Sequence, residues 1–329
     1  MPLSSNFDLY VYITHFYDTK STEADNADKQ RYLAELIFGL ARLDVNKLQI
    51  KVFTNLNDTE RLLQLFDPMA SRLSESSWQV IKISKTDLFI SGEFNPWALT
   101  WSHKKWLKED IEAAHTKSVF LYLENDALFL QDNLDYFLKY RNVLSSIGLI
   151  PGYIRAEYSK VHYAWANPDL LPSLGFTDFK HEFSQDSVLH FRQYANPFSA
   201  SIILDNDLGV EYIKSESFDM YKAGGKHRII WDSGSTAALG LVAERVPPMF
   251  TSRTAVVLND NYKLPLLGSI LRHQGDRYAQ DPWQFHGRLF YKSGDYFFPK
   301  PKRSFQDKLR RAKQIGLKSI LQLIVQRYL

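Results

Sequence analysis

Glu124 and Asp126 stand two residues apart at the end of Val119-Phe120-Leu121-Tyr122-Leu123, a short and almost continuously apolar run. Residues i and i+2 of a strand project to the same side, so a strand ending here delivers both carboxylates together. Such a pair suits a hard divalent cation, Mg²⁺ or Mn²⁺, which prefers oxygen ligands and commonly bridges to substrate phosphates. The competing reading is a solvated turn in which Asp126 helps to cap the next element of the chain.

Other polar groups carry chemistry with a plainer alternative beside it. His103 and Lys104 lie within a helical pattern, where they serve either a ligand or a solvent-facing surface. His273 sits in Leu271-Arg272-His273-Gln274-Gly275-Asp276-Arg277, as a ligand or as a packed side chain, with Arg272 and Arg277 able to clamp phosphate. Arg155 and Glu157 can contact a substrate or simply pair with each other. Asp232, in Trp231-Asp232-Ser233-Gly234-Ser235-Thr236, precedes a predicted helix, where Asp232, Ser233 or Ser235 can act as its N-cap. No G-x-S-x-G, H-E-x-x-H or G-x-G-x-x-G occurs, and Gly224-Gly225-Lys226 lacks the rest of a P-loop.

The elements that must position these groups alternate. Leu9–Thr14, Leu48–Phe53 and Trp78–Ile83 read as strands, being short, apolar and rich in aromatic and β-branched residues. Between the first two, Tyr32, Leu33, Leu36, Ile37 and Leu40 recur at helical spacing. Pro96 opens a helical segment through about His115, and Asp132 can cap a helix carrying Leu134, Phe137 and Leu138. The run Val119–Leu123 predicts a central parallel strand buried on both faces. This order predicts an open, mostly parallel sheet with helices on both sides, in which ligands bind outside the carboxyl ends of the strands. The second half is less regular: Ile150–Arg155, a loop-rich stretch to about Phe191, a strand at Ser199–Leu204 and a helix starting near Ser235.

Four segments together resemble the GT-A (Rossmann-like) fold of nucleotide-sugar-dependent glycosyltransferases, of the bacterial polysaccharide-assembly type. They are Phe120-Leu121-Tyr122-Leu123-Glu124-Asn125-Asp126, placed like the Asp-x-Asp motif that ends a central strand in that family, Leu99-Thr100-Trp101-Ser102-His103-Lys104, Ile150-Pro151-Gly152-Tyr153-Ile154-Arg155-Ala156-Glu157, and Asn196-Pro197-Phe198-Ser199-Ala200. The likeness spans roughly residues 8–290, and Glu124 departs from the commoner Asp. The resemblance implies Asp126 as a direct metal ligand, Glu124 beside it, and His273 as a third ligand. It implies that the loop around Thr14, His15 and Tyr17 holds base and ribose. Asn125, His103 and Lys104 would meet the donor, the last two at its phosphates, and Arg155 and Glu157 would contact the acceptor. For an inverting enzyme it implies Asp232 as the base that takes the acceptor proton.

Composition bounds these readings. With no Cys among 329 residues there is no disulfide, thiolate zinc site, iron–sulfur cluster or cysteine nucleophile. The net charge of +3 hides an asymmetry: residues 300–329 carry nine basic residues against Asp307 alone, a net +8, which leaves −5 on the first 299. An acidic body with a basic tail argues against a nucleic-acid partner. In the tail Phe305, Leu309, Ala312, Ile320 and Leu323 share a helical face from which the basic residues largely depart. Such a helix lies on an anionic bilayer surface or docks on the acidic body. The N-terminal residues resemble no secretory signal, and no apolar stretch approaches the ~18 residues of a membrane span. A cytoplasmic protein, peripheral on the inner face of the membrane, is expected.

These readings divide the chain into a GT-A-like catalytic domain over 1–299, with a nucleotide-binding half 1–126 and an acceptor half 127–299, and a basic amphipathic helix over 300–329. The expected function is metal-dependent sugar transfer from a nucleotide-sugar to a lipid-linked glycan. Its rivals are a non-catalytic glycan- or nucleotide-binding protein on the same scaffold, recruiting partners to the membrane, and a phosphoryl- or nucleotidyl-transferring enzyme.

Overall fold

Apolar residues occupy both faces of β1 (Asp8–His15): Leu9, Val11 and Ile13 point one way, Tyr10 and Tyr12 the other. A strand covered on both sides belongs inside a parallel sheet. In the computed structural model β1 lies between β2 (Lys47–Thr54) and β4 (Ser118–Glu124) and runs parallel to both. The structure describes residues 7–17, 21–69, 77–90, 93–159, 164–169, 176–184, 187–223, 233–259, 264–276, 288–289 and 296–297. β3 (Trp78–Lys82) continues the sheet beyond β2 in parallel, and Ser201–Asp205 closes the other edge antiparallel to β4. The fold is thus mixed α/β, with a mostly parallel central sheet flanked by helices.

The chain moves from β1 through α1 (Glu23–Leu40) to β2 and on to β3, then returns past β1 through α2 (His103–Ala113) to β4. The direction of winding reverses between β1 and β4, and the crevice outside their carboxyl ends is the topological switch point. α2 covers the face carrying Tyr12 and Tyr122. The Tyr12 hydroxyl donates to Asp110 at 2.6 Å, and the His103 ring stacks on Tyr122 with centroids 4.1 Å apart. Right-handed crossovers place α1 on the opposite face, where Leu33, Leu36, Ile37 and Leu40 are buried at helical spacing. Thr22 starts α1 with a capping box: its Oγ1 accepts from Asp25 N at 3.1 Å, and the Asp25 carboxylate accepts from Thr22 N at 3.3 Å. Val119–Leu123 are each about 1% exposed or less. Burying each such side chain contributes about 1.5–3 kcal/mol, so the strand that ends in Glu124 is firmly anchored.

Three local expectations change. The segment from Pro96 divides into a 3₁₀ turn, Pro96–Trp101, capped by Asn95, and the separate helix α2, whose first residue folds its imidazole back onto the Thr100 carbonyl at 2.7 Å. Asp132 is not the cap of α3 (Gln131–Ser145). It lies in the first turn, while Asn133 turns back to accept from Leu130 N at 2.8 Å. Much of the stretch expected as loop up to Phe191 is an antiparallel hairpin, Phe176–Ser184 with Ser187–Tyr194. Its strands mix polar and apolar residues, a weaker signal than the continuous apolar runs of buried strands.

A second sheet abuts the switch point. β6 (Ile154–Ser159) runs parallel to β7 (Ile270–His273), and β7 pairs antiparallel with β5 (Ala127–Leu128), which comes directly after Asp126. The helix expected near Ser235 is a short one, Ser233–Ala237. No helix among the described residues is long and apolar enough to cross a membrane. Asp232 and the basic tail, residues 300–329, lie outside the described residues.

Candidate active site

Strand pairing assembles the site. Thr14 and Glu124 are register partners at the tips of β1 and β4. The chain then turns: Asn125 N donates to the Thr14 carbonyl at 3.2 Å, and Asn125 Nδ2 donates to the Lys29 carbonyl of α1 at 3.3 Å. Asp126 is next, its carbonyl accepting from Gln274 N at 2.8 Å. With Ala127 opposite His273 in the β5–β7 pair, the histidine is delivered beside the aspartate from the far end of the chain.

His273 stands between two carboxylates. Its Nε2 is 2.9 Å from Asp126 Oδ2 and its Nδ1 is 2.7 Å from Glu157 Oε1 on β6. Asp126 Oδ1 is buried without a hydrogen-bond partner. Arg155, two residues before Glu157, grips Asp169 through Nε at 2.7 Å and Nη2 at 2.6 Å.

The charges shift one another strongly. Burial, then the neighbouring Asp126 carboxylate, pushes Glu124 up to about 7. Burial opposes ionisation of Asp126 too, but the His273 imidazolium overrides it and holds that carboxyl below its ordinary value. Burial likewise opposes the charge on His273, yet Asp126 and then Glu157 raise its pKa to about 10. Burial raises Asp169, with the Arg155 guanidinium opposing. Four acidic side chains, Glu124, Asp126, Glu157 and Asp169, thus surround one guanidinium and one imidazole.

The other expected residues lie around this centre. The Thr14 hydroxyl and the Tyr122 hydroxyl share a 3.0 Å hydrogen bond beneath the sheet tip. His15 is fully buried with neither ring nitrogen partnered, and burial together with the Lys29 charge lowers its pKa to about 4. It is neutral at pH 7, able to donate one hydrogen bond and accept another. Tyr17 exchanges backbone hydrogen bonds with the Asn55 side chain, both at 2.8 Å, which ties the loops after β1 and β2 together. His103 and Lys104 are both buried. Lys104 Nζ donates to the Tyr212 hydroxyl and to the Ala237 carbonyl, within 4.3–5.4 Å of the rings of Tyr212, Trp101 and Phe218.

The structure therefore brings together Thr14, Glu124, Asn125, Asp126, Arg155, Glu157 and His273, with His15 close by, and encloses His103 and Lys104 on the α2 side. Two further residues join the site. Asp169 comes after Asn-Pro and reads as part of a turn, with no spacing that ties it to Arg155. Gln274 Oε1 is buried without a partner. Gln274 Nε2 donates to the Tyr32 carbonyl of α1 at 3.0 Å, an association that only the fold creates.

No family model and no curated protein matches the sequence. Among solved structures, the chain is similar to S. aureus TarS residues 1–349, at 11% identity and a TM-score of 0.34, over 82% of this chain and 58% of that one. It is also similar to apo mouse xyloside xylosyltransferase 1, at 14% identity and a TM-score of 0.28, over 46% of this chain and 53% of that one. A third likeness is to 4-diphosphocytidyl-2C-methyl-D-erythritol synthase from Anaerococcus prevotii, at 13% identity and a TM-score of 0.27, over 64% of this chain and 77% of that one. The chain thus spans a little over half the length of the first and second of these.

Proposed function

We propose that this protein is a glycosyltransferase that moves a sugar from a nucleotide-sugar donor to a growing glycan, with Mn²⁺ or Mg²⁺ bound at Asp126. The observation that carries the reading is Asp126 at the switch point, with one buried oxygen unpartnered and the other facing an imidazole nitrogen. The donor set fits the ion: carboxylate oxygen and imidazole nitrogen suit Mn²⁺, and Mg²⁺ takes one or two protein carboxylates and completes its shell with phosphate and water. Among the described residues no three His, Asp or Glu side chains are arranged to hold a metal ion between them. His273 lies between Asp126 and Glu157, so the protein's share of the shell is Asp126 and His273 Nε2, with Glu124 nearby. When bound, the cation stabilises the charge that develops on the departing nucleoside diphosphate.

The chain's own residues do the rest. His15 and Gln274 hold buried hydrogen-bonding atoms without partners, which are assigned to the base and ribose of the donor. Glu124, beside Asp126 at the strand tip, can hydrogen-bond a sugar hydroxyl whether ionised or protonated. Arg155, held rigid by Asp169, balances the surplus of negative charge. Asp232 is the proposed base toward the acceptor hydroxyl. The acceptor is proposed to be lipid-linked, with the basic tail over residues 304–329 keeping the enzyme on an anionic membrane surface.

The test is sugar transfer from a panel of sugar nucleotides, with and without Mn²⁺, for wild type and Asp126→Ala. Losing several kcal/mol of transition-state stabilisation, the scale of a metal's contribution, predicts a fall of about 100-fold or more for the variant. Equal transfer by the two proteins, or full wild-type activity in excess chelator, would refute the metal assignment.

A further inference from the structure

Glu157 is fully buried, and strand register sets its position. β6 and β7 pair in parallel with Arg272 opposite Ala156. One residue further along both strands stand Glu157 and His273, with Glu157 Oε1 2.7 Å from His273 Nδ1. The other ring nitrogen, Nε2, is turned to Asp126. A neutral imidazole carries a single ring proton, and the hydrogen bond at one nitrogen decides which nitrogen keeps a lone pair for a metal. Glu157 Oε1 and His273 Nδ1 meet at ion-pair distance without the alignment of a hydrogen bond, and a carboxylate that draws the ring proton to Nδ1 from such a position leaves Nε2 for a metal.

We infer that Glu157 is a positioning residue, fixing the tautomer and ring plane of His273 so that Nε2 meets the cation shared with Asp126. This rests on the metal reading above and replaces the acceptor contact expected of Glu157 with a role behind the metal ligand. Burying a lone carboxylate is costly, and here its partner is the ring whose direction the site requires.

The measurement is Mn²⁺ affinity of the full chain with a nucleoside diphosphate present, by calorimetry, for wild type, Glu157→Gln, His273→Ala and the double variant. Glu157→Gln should bind Mn²⁺ about 10–100-fold more weakly, and should add no further loss to His273→Ala. Unchanged affinity in Glu157→Gln, or an equal loss with and without His273, overturns the inference and leaves the metal reading standing. A wild type that binds no Mn²⁺ overturns both. Should Glu157→Gln not fold, ¹⁵N spectra of the Mg²⁺-loaded wild type report the ring directly. A proton on Nδ1 of His273 is expected, and a proton on Nε2 overturns the inference.

Discussion

Thr14 and Glu124 are neighbours in parallel register, each at the carboxyl end of its strand, although 110 positions separate them in the chain. Their pairing places the Glu124-Asn125-Asp126 turn at the carboxyl ends of β1 and β4, and the Asn125 amide clamps the turn to the Thr14 carbonyl at 3.2 Å. His273 and Glu157 arrive from a second sheet, so the site forms where two sheets meet.

The His273–Asp126 contact should make the metal-free protein's stability depend on pH. His273 titrates at about 10 when folded, against an ordinary 6.5. Its stabilising effect is therefore complete below about pH 6.5 and is lost progressively as the pH rises through 10. Asp126→Asn removes the main stabilising charge and should flatten this dependence. Thermal melts in chelator between pH 6 and pH 10.5 check it, and parallel profiles for the two proteins would contradict it.

The Arg155–Asp169 pair should be costly to split. Both side chains are about 90% buried, and removing one partner of a buried ion pair costs about 3–5 kcal/mol, because the other charge is left unmatched. Arg155→Ala should lower the unfolding free energy by that amount, read from its denaturant midpoint. Arg155→Lys should recover only part of it, since an ammonium cannot reproduce the two-pronged grip. A loss below about 1 kcal/mol for Arg155→Ala would show that water replaces the guanidinium.

Lys104 sits in an aromatic box, and burial lowers its pKa well below the ordinary 10.5. A base whose pKa falls on folding destabilises the protein wherever the unfolded chain is the more protonated state, and the penalty fades as the pH rises toward 10.5. Lys104→Met keeps the bulk and removes the penalty. It should raise the melting temperature at neutral pH and leave the donor KM within about twofold. A KM rise of tenfold or more would instead mean that the ammonium reaches the donor phosphates.

The basic tail should govern membrane attachment. Each basic side chain near an anionic surface contributes about 1 kcal/mol, so deleting residues 304–329 should release the protein from phosphatidylserine-containing liposomes at physiological salt. Retention equal to that of the full chain in co-sedimentation would favour a tail docked on the body.

Much of the central sheet was legible in the sequence because burial on both faces writes itself as continuous apolar runs, as in Val119–Leu123. The turn Glu124-Asn125-Asp126 was legible for the related reason that carboxylates directly after such a run must emerge where the strand ends. The hairpin Phe176–Ser184 and Ser187–Tyr194 was not, since its mixed residues carry no clear period. The sequence alone therefore determined the α/β sheet, the placement of its acidic tip and the basic character of the tail. Only the tertiary structure decided that Arg155 belongs to Asp169 and Glu157 to His273, and that Lys104 is enclosed by rings. Those partners lie 14, 116 and 108 positions apart for Asp169, His273 and Tyr212 respectively, and local residue patterns cannot specify contacts that strand register and packing between distant segments create.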